Sequence, residues 1–303
     1  GGGAIGGFGG GAAATGIGFP GGGGGAALGG ALFAQEGGNL ILSGPLTING
    51  SSVTAGGVLD ANASPGSAFG AGIFLQGAGL PLTCAPGLGE TQTIADDITD
   101  QSASGDPRTR GLTKNGAGTL TLSGTNTYGG TTTVNAGTLI VDGSIVTPVA
   151  VNTGGTLGGT GTIINLATVN SGGAIAPGDS PGTLNIASLT LNGNVAFAFQ
   201  LGATANPGDS DLLALTGALT KGAAGTVTFH FSDGVGAPTL NTTYTLITFT
   251  QPTNFSVGDF AYDYAGANPT LAGTFALVGS GSTQSLQFTP ITTPVRLQSF
   301  EVE

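Results

Sequence analysis

One short phrase recurs along this chain at a nearly constant interval. Gly118-Thr119-Leu120 returns as Gly137-Thr138-Leu139 and as Gly155-Thr156-Leu157, and a relative, Gly173-Ala174-Ile175, follows. The starts fall at 118, 137, 155 and 173, steps of 19, 18 and 18. A near-constant step of that size marks a repeat architecture, in which one unit cannot bury its apolar side alone and neighbours stack into a continuous core. The stretch Gly111–Gly143 reads as two short strands, each followed by a Gly or Asn corner. Thr, Val and Leu suit a pleated surface, while Asn and Gly tolerate the left-handed dihedrals of tight corners. The expectation is one coil of a β-solenoid.

The repeat extends both ways with changing texture. Gly182-Thr183-Leu184 reads as a further start. GGALFAQEG at Gly29 has a second copy, GAGIFLQG, at Gly70, an offset of about two coils. Between them and the regular part lies ETQTIADDITDQSASGD, where Ile94 and Ile98 would anchor one strand and the acids would face solvent. Beyond Val195 the strands lengthen and aromatics accumulate; in TVTFHF, Val227, Phe229 and Phe231 share one face and Thr228 and His230 the other. Such an end can cap the stack. The organisation expected is therefore a glycine-rich segment 1–30, irregular coils with an acidic excursion 31–110, regular repeats 111–193, a C-terminal solenoid and cap 194–292, and an extended terminal strand 293–303. Composition alone makes the first segment a linker, yet Ile5, Phe8, Ile17 and Phe19 favour thin coils. Stacked about 4.7–4.9 Å apart, about 13 coils would span roughly 60 Å.

Composition excludes several classes. Glycine supplies 61 of 303 residues, but 39% are hydrophobic and only 7% charged, which opposes disorder. Net charge is −11, and Arg108, Arg110 and Lys114 cluster in an acidic field, so neither nucleic acid nor anionic lipid is an expected partner. No apolar run approaches the roughly 20 residues of a membrane span. Beginning at Gly1 without a Met, the sequence reads as a piece of a longer precursor whose signal peptide is out of view.

Reactive residue types are few. Cys84 has no partner for an internal disulfide and no local base, and reads as a small buried hydrophobe. His230 is the one histidine, so a zinc site or a triad lacks its other members. Carboxylates remain: Asp96, Asp97 and Asp100, or Asp209 and Asp211, could flank the solenoid as a hydrolytic pair or hold a structural calcium. Solvated corner acids and Asx turns are the competing expectation.

GLTKNGAGTLTLSGTNTYGGTTTVNAGTLIVDG resembles the autotransporter-associated β-strand repeat of bacterial autotransporter passengers. GGAIAPGDSPGTLNIASLTLNG is similar to the segment that often follows it, and GDSDLLALTG and NTTYTLITF resemble the end of such passengers. The resemblance spans roughly 110–290. It implies an all-β, right-handed parallel β-helix on, or released from, a Gram-negative-type cell surface. The family's passengers precede a membrane barrel of alternating strands, for which this sequence has no length. The function expected is non-enzymatic and structural: a fibre, matrix or adhesive-filament subunit, a homopolymer joined end to end by strand pairing through Val295, Leu297, Phe300 and Val302. A monomeric adhesin binding glycans or cell-surface components is the alternative, and a polysaccharide hydrolase using Asp96, Asp97 or Asp211 a third. No cofactor is expected beyond a structural calcium.

Overall fold

A computed structural model describes residues 26–58, 63–178, 181–267 and 271–291. The segment before residue 26 and the terminal strand, with Val295, Leu297, Phe300 and Val302, lie outside the described residues. Among the described residues there is no α-helix, only strands and two short 3₁₀ turns, Gln101–Ser104 and Val257–Asp259.

The chain winds as a three-sided parallel β-helix. One coil runs Leu112–Lys114, Thr119–Leu122 and Thr125–Asn126; the next runs Thr132–Val134, Gly137–Val141 and Ser144–Ile145. Each strand pairs in parallel with its counterpart one coil on: Leu112 with Thr132, Thr119 with Thr138, and Thr125 with Ser144. The first and third sides share a fourteen-stranded sheet, the second is a nine-stranded sheet, and the first coils add a three-stranded sheet. No helix among the described residues is long and apolar enough to cross a membrane.

Register on the second side turns the sequence period into geometry. Thr119 pairs with Thr138, Thr138 with Thr156 and Thr156 with Ala174, which reproduces the steps between the repeated phrases. Strand alternation then sends one residue of each Gly-Thr-Leu inward. Leu120, Leu139, Leu157, Ile175, Phe197 and Phe229 form a fully buried column, one per coil. The glycine of the motif has its own cause. Gly137 takes φ +64°, and a Cβ there would strike the Gly118 carbonyl of the preceding coil.

Away from the middle the coils widen. On one flank Thr91 pairs with Thr119, and on the other Ala174 pairs with Ala196, Ala196 with Thr228 and Thr228 with Ala261. All four of these steps are longer than those of the middle. The second side therefore has nine rungs among the described residues, where the short middle step suggested about 13 coils. Larger inward residues fill the wider cross-section: Phe197 stacks on Phe229 at 4.8 Å, and Phe231 meets Phe288 at 4.6 Å. The end is closed by an antiparallel hairpin, Ala272–Ser280 with Thr283–Ile291, whose second strand pairs with Tyr244–Phe249.

Four further expectations differ from the structure in how the chain is laid out. Gly182-Thr183-Leu184 does not open a second-side strand; Thr183–Asn192 runs along the third and first sides, pairing Asn185 with Thr162 and Leu189 with Ala167. The motif recurs because any Gly corner followed by a half-buried strand has the same local requirement. The offset from Gly29 to Gly70 is one coil rather than two, since Leu32 pairs directly with Ile73 and Ala27 with Ala68. Ile94 and Ile98 do not share a strand: Thr91–Ile94 belongs to the nine-stranded sheet and Ile98–Asp100 to the three-stranded one, with Asp96 and Asp97 at the corner. The basic cluster is also dispersed. Arg108 is exposed against Glu36 and Asp106, whereas Arg110 and Lys114 are buried.

Candidate functional site

The corner between the first and second sides is the most repeated polar feature of the rod. Five successive coils leave the first side through an asparagine: Asn115, Asn135, Asn152, Asn170 and Asn192. Their side chains join head to tail. Asn135 Nδ2 donates to Asn115 Oδ1 at 2.9 Å, Asn152 to Asn135 at 2.8 Å, Asn170 to Asn152 at 2.8 Å and Asn192 to Asn170 at 3.0 Å. A carboxamide carries both donor and acceptor, so every inner rung is satisfied on both sides by a copy of itself. Asn152→Ala removes two of these bonds and should lower stability by about 1–2 kcal/mol, read from the urea midpoint.

Behind that corner lies Lys114, fully buried and paired in register with Cys84. Its Nζ donates to the carbonyls of Asn115, Gly116 and Ala136 at 2.9–3.0 Å. Burial pulls the ammonium below its ordinary value and pushes the Cys84 thiol up to about 12, against the pull of Lys114. The thiol is thus protonated at neutral pH, as suits a core residue and not a nucleophile.

Four of the five carboxylates singled out in the sequence accept from backbone amides, and the fifth, Asp209, accepts from a hydroxyl. Asp96 accepts from Ser51 N at 2.8 Å and Asp97 from Thr125 N at 2.8 Å. Asp100 is buried and accepts from Arg110 N and Gly129 N, both at 2.8 Å, from Ser102 N at 3.0 Å, and from the Ser102 hydroxyl. Asp100 therefore corrects the expectation that the acids of this segment face solvent. Asp209 takes the Thr204 hydroxyl. Asp211, 3% exposed, accepts from Gln200 N at 2.6 Å and Gly182 N at 2.9 Å. Among the described residues no three His, Cys, Asp or Glu side chains come together as a metal set.

Burial raises the Asp211 carboxyl from 3.8 to about 6, while the two amides pull it down. A raised folded-state value favours the protonated form. Its contribution is therefore complete below about pH 4 and lost as pH rises through 6. The change is worth up to about 3 kcal/mol. Unfolding midpoints should fall between pH 4 and 6.5 in the native chain, and Asp211→Asn should flatten that slope. Asp106 and Asp259, held down to about 2 by Arg108 and Lys221, act in the opposite sense below pH 4, outside this window.

His230 stands on the outer face of the second side, half-exposed, with Nδ1 2.8 Å from Asp263 one coil on. His230 borders an open groove of about 410 Å³ lined also by Gly172, Gly173, Asn194, Thr226 and Thr228. A buried lysine and a head-to-tail amide column were not legible in the sequence. The recurrence of Asn at steps of 20, 17, 18 and 22 was the signal that could have revealed the column.

Geometry thus defines the class: a parallel β-helical rod whose polar groups serve coil-to-coil stacking. Residues 112–141 match the family model of the passenger-associated-transport-repeat, from the first-side strand of one coil through the second-side strand of the next. No curated protein matches. The match covers one repeat, and the all-β parallel β-helix built around it has the fold expected of such a passenger-type repeat.

Proposed function

We propose that the chain is a non-enzymatic structural subunit of a bacterial surface fibre or matrix, joined end to end by strand pairing. What supports this reading is the first coil. Leu32–Ala34, Ile41–Ser43 and Leu46–Ile48 are each paired on one side only among the described residues, and Phe33 and Ile41 are about half exposed. At the other end Phe260–Tyr264 is the last strand of the nine-stranded sheet. Among the described residues the nine-stranded sheet ends on a parallel strand at each side, Leu46–Ile48 and Phe260–Tyr264, an arrangement that suits head-to-tail addition, which makes filaments when it does not close. The proposal keeps a part for the terminal segment Thr293–Glu303.

Size-exclusion chromatography and negative-stain imaging of the full chain test it. Fibres that lengthen with concentration and vanish on deletion of Thr293–Glu303 are expected. A rod that stays monomeric at high concentration would sink the fibre reading. The second reading, a monomeric adhesin, has the His230 groove in its favour, small and polar enough for a sugar ring. It expects glycan binding that survives the same deletion.

A further inference from the structure

We propose that the second side binds ice through a two-dimensional threonine array. Thr91 and Thr93 stand in register with Thr119 and Thr121 one coil on, and Thr119 continues through Thr138 to Thr156. Their inward neighbours Leu120, Leu122, Leu139 and Leu157 are fully buried, so strand alternation turns all six threonines outward. None of the six hydroxyls bonds to another described residue, and all six side chains are at least partly exposed.

The spacing follows from the fold. Neighbouring parallel strands lie about 4.7–4.9 Å apart, and side chains two positions apart on a strand about 6.6 Å. The first distance is close to the shortest translational repeat of hexagonal ice. Each threonine offers a hydroxyl that can stand in for a lattice water and a methyl that restrains the water beside it. β-Branching and the packed strand beneath hold the side chain in few rotamers, so little ordering remains to be done on binding.

The patch carries no charge and no aromatic ring; its outward neighbours are Thr47, Ile140, Gly158 and Ala174. Absence of a stacking ring disfavours a glycan at this place, and absence of charge disfavours an ionic partner. The inference is independent of end-to-end assembly, which uses other strand edges.

Slow growth of an ice hemisphere from a solution of the full chain and serum albumin is the test, with thermal hysteresis as the second readout. The chain should enter the ice several-fold more than albumin. Thr121→Tyr, beside Thr119 and one coil on from Thr93, should abolish the excess, whereas Thr125→Tyr, on the third side, should leave it intact. Circular dichroism checks that each variant folds, and Thr138→Lys replaces Thr121→Tyr if the latter does not. Exclusion of the native chain from ice overturns the proposal, as does equal loss in Thr125→Tyr. Retention on insoluble polysaccharide with no ice uptake also overturns it and assigns the face to a glycan.

Discussion

Phe229→Ala is expected to cost about 3–5 kcal/mol, the largest effect of any single truncation in the rod. The ring stacks on Phe197 at 4.8 Å, packs edge-on to Phe199 at 5.4 Å, and reaches Phe275 of the closing hairpin at 5.4 Å. It thus links the inward column of the second side to the cap. In a solenoid each coil is stabilised chiefly by its neighbours, so the loss should be local before it is global. Urea unfolding followed by tyrosine fluorescence should show the C-terminal coils, which hold Tyr244, Tyr262 and Tyr264, opening first. Val257→Ala, at a half-exposed position, should stay within about 0.5 kcal/mol. Equal effects of the two substitutions would mean that the aromatic stack is not the anchor of this end.

Lys114→Met should lower stability by about 2–4 kcal/mol. Methionine matches the length and restores an apolar interior, which relieves the desolvation of the ammonium. It also leaves the carbonyls of Asn115, Gly116 and Ala136 without their donor. These acceptors are half-buried, so each one left without its donor costs toward the low end of about 1–3 kcal/mol, and three together outweigh the relief. Lys114→Arg should not rescue the loss, because a planar fork cannot direct its donors at three carbonyls around one point. A chemical-denaturation midpoint at or above that of the native chain would show that the ammonium is dispensable.

Much of the fold was legible, for a definite reason. The middle coils are short and differ little, so at Gly118, Gly137 and Gly155 a Cβ would each time meet a carbonyl of the preceding coil, and the sequence repeats because the geometry does. The duplicated phrase at Gly29 and Gly70 was legible in register but not in coil length, because the chain between its copies closes a single turn. Sequence spacing cannot separate one long coil from two short ones unless the intervening strands are known. The aromatic end was readable as a cap from alternation in TVTFHF, although not the antiparallel closure.

Side-chain roles were less visible. Asp100 has the same sequence character as Asp96 and Asp97, yet only Asp100 lies on an inward strand end, where the amides of Arg110 and Gly129 converge from distant points of the chain. Arg110 and Lys114 look like a basic patch in DPRTRGLTK. One instead donates to Leu80 O and Gly38 O and the other to three corner carbonyls. Such acceptors belong to the backbone and leave no mark in residue type.

The asparagine column has a consequence for synthesis of the rod. A coil that closes one position too early or too late turns its inward side chains out. The same slip moves its asparagine off the column and strands an amide on each adjoining coil. Each turn from Asn115 to Asn192 is thereby checked against the one before it, while longer excursions can be placed on the other two corners. The long coil from Thr91 to Thr119, which enters the column at Asn115, carries its extra chain at such a corner, between Asp100 and Leu112.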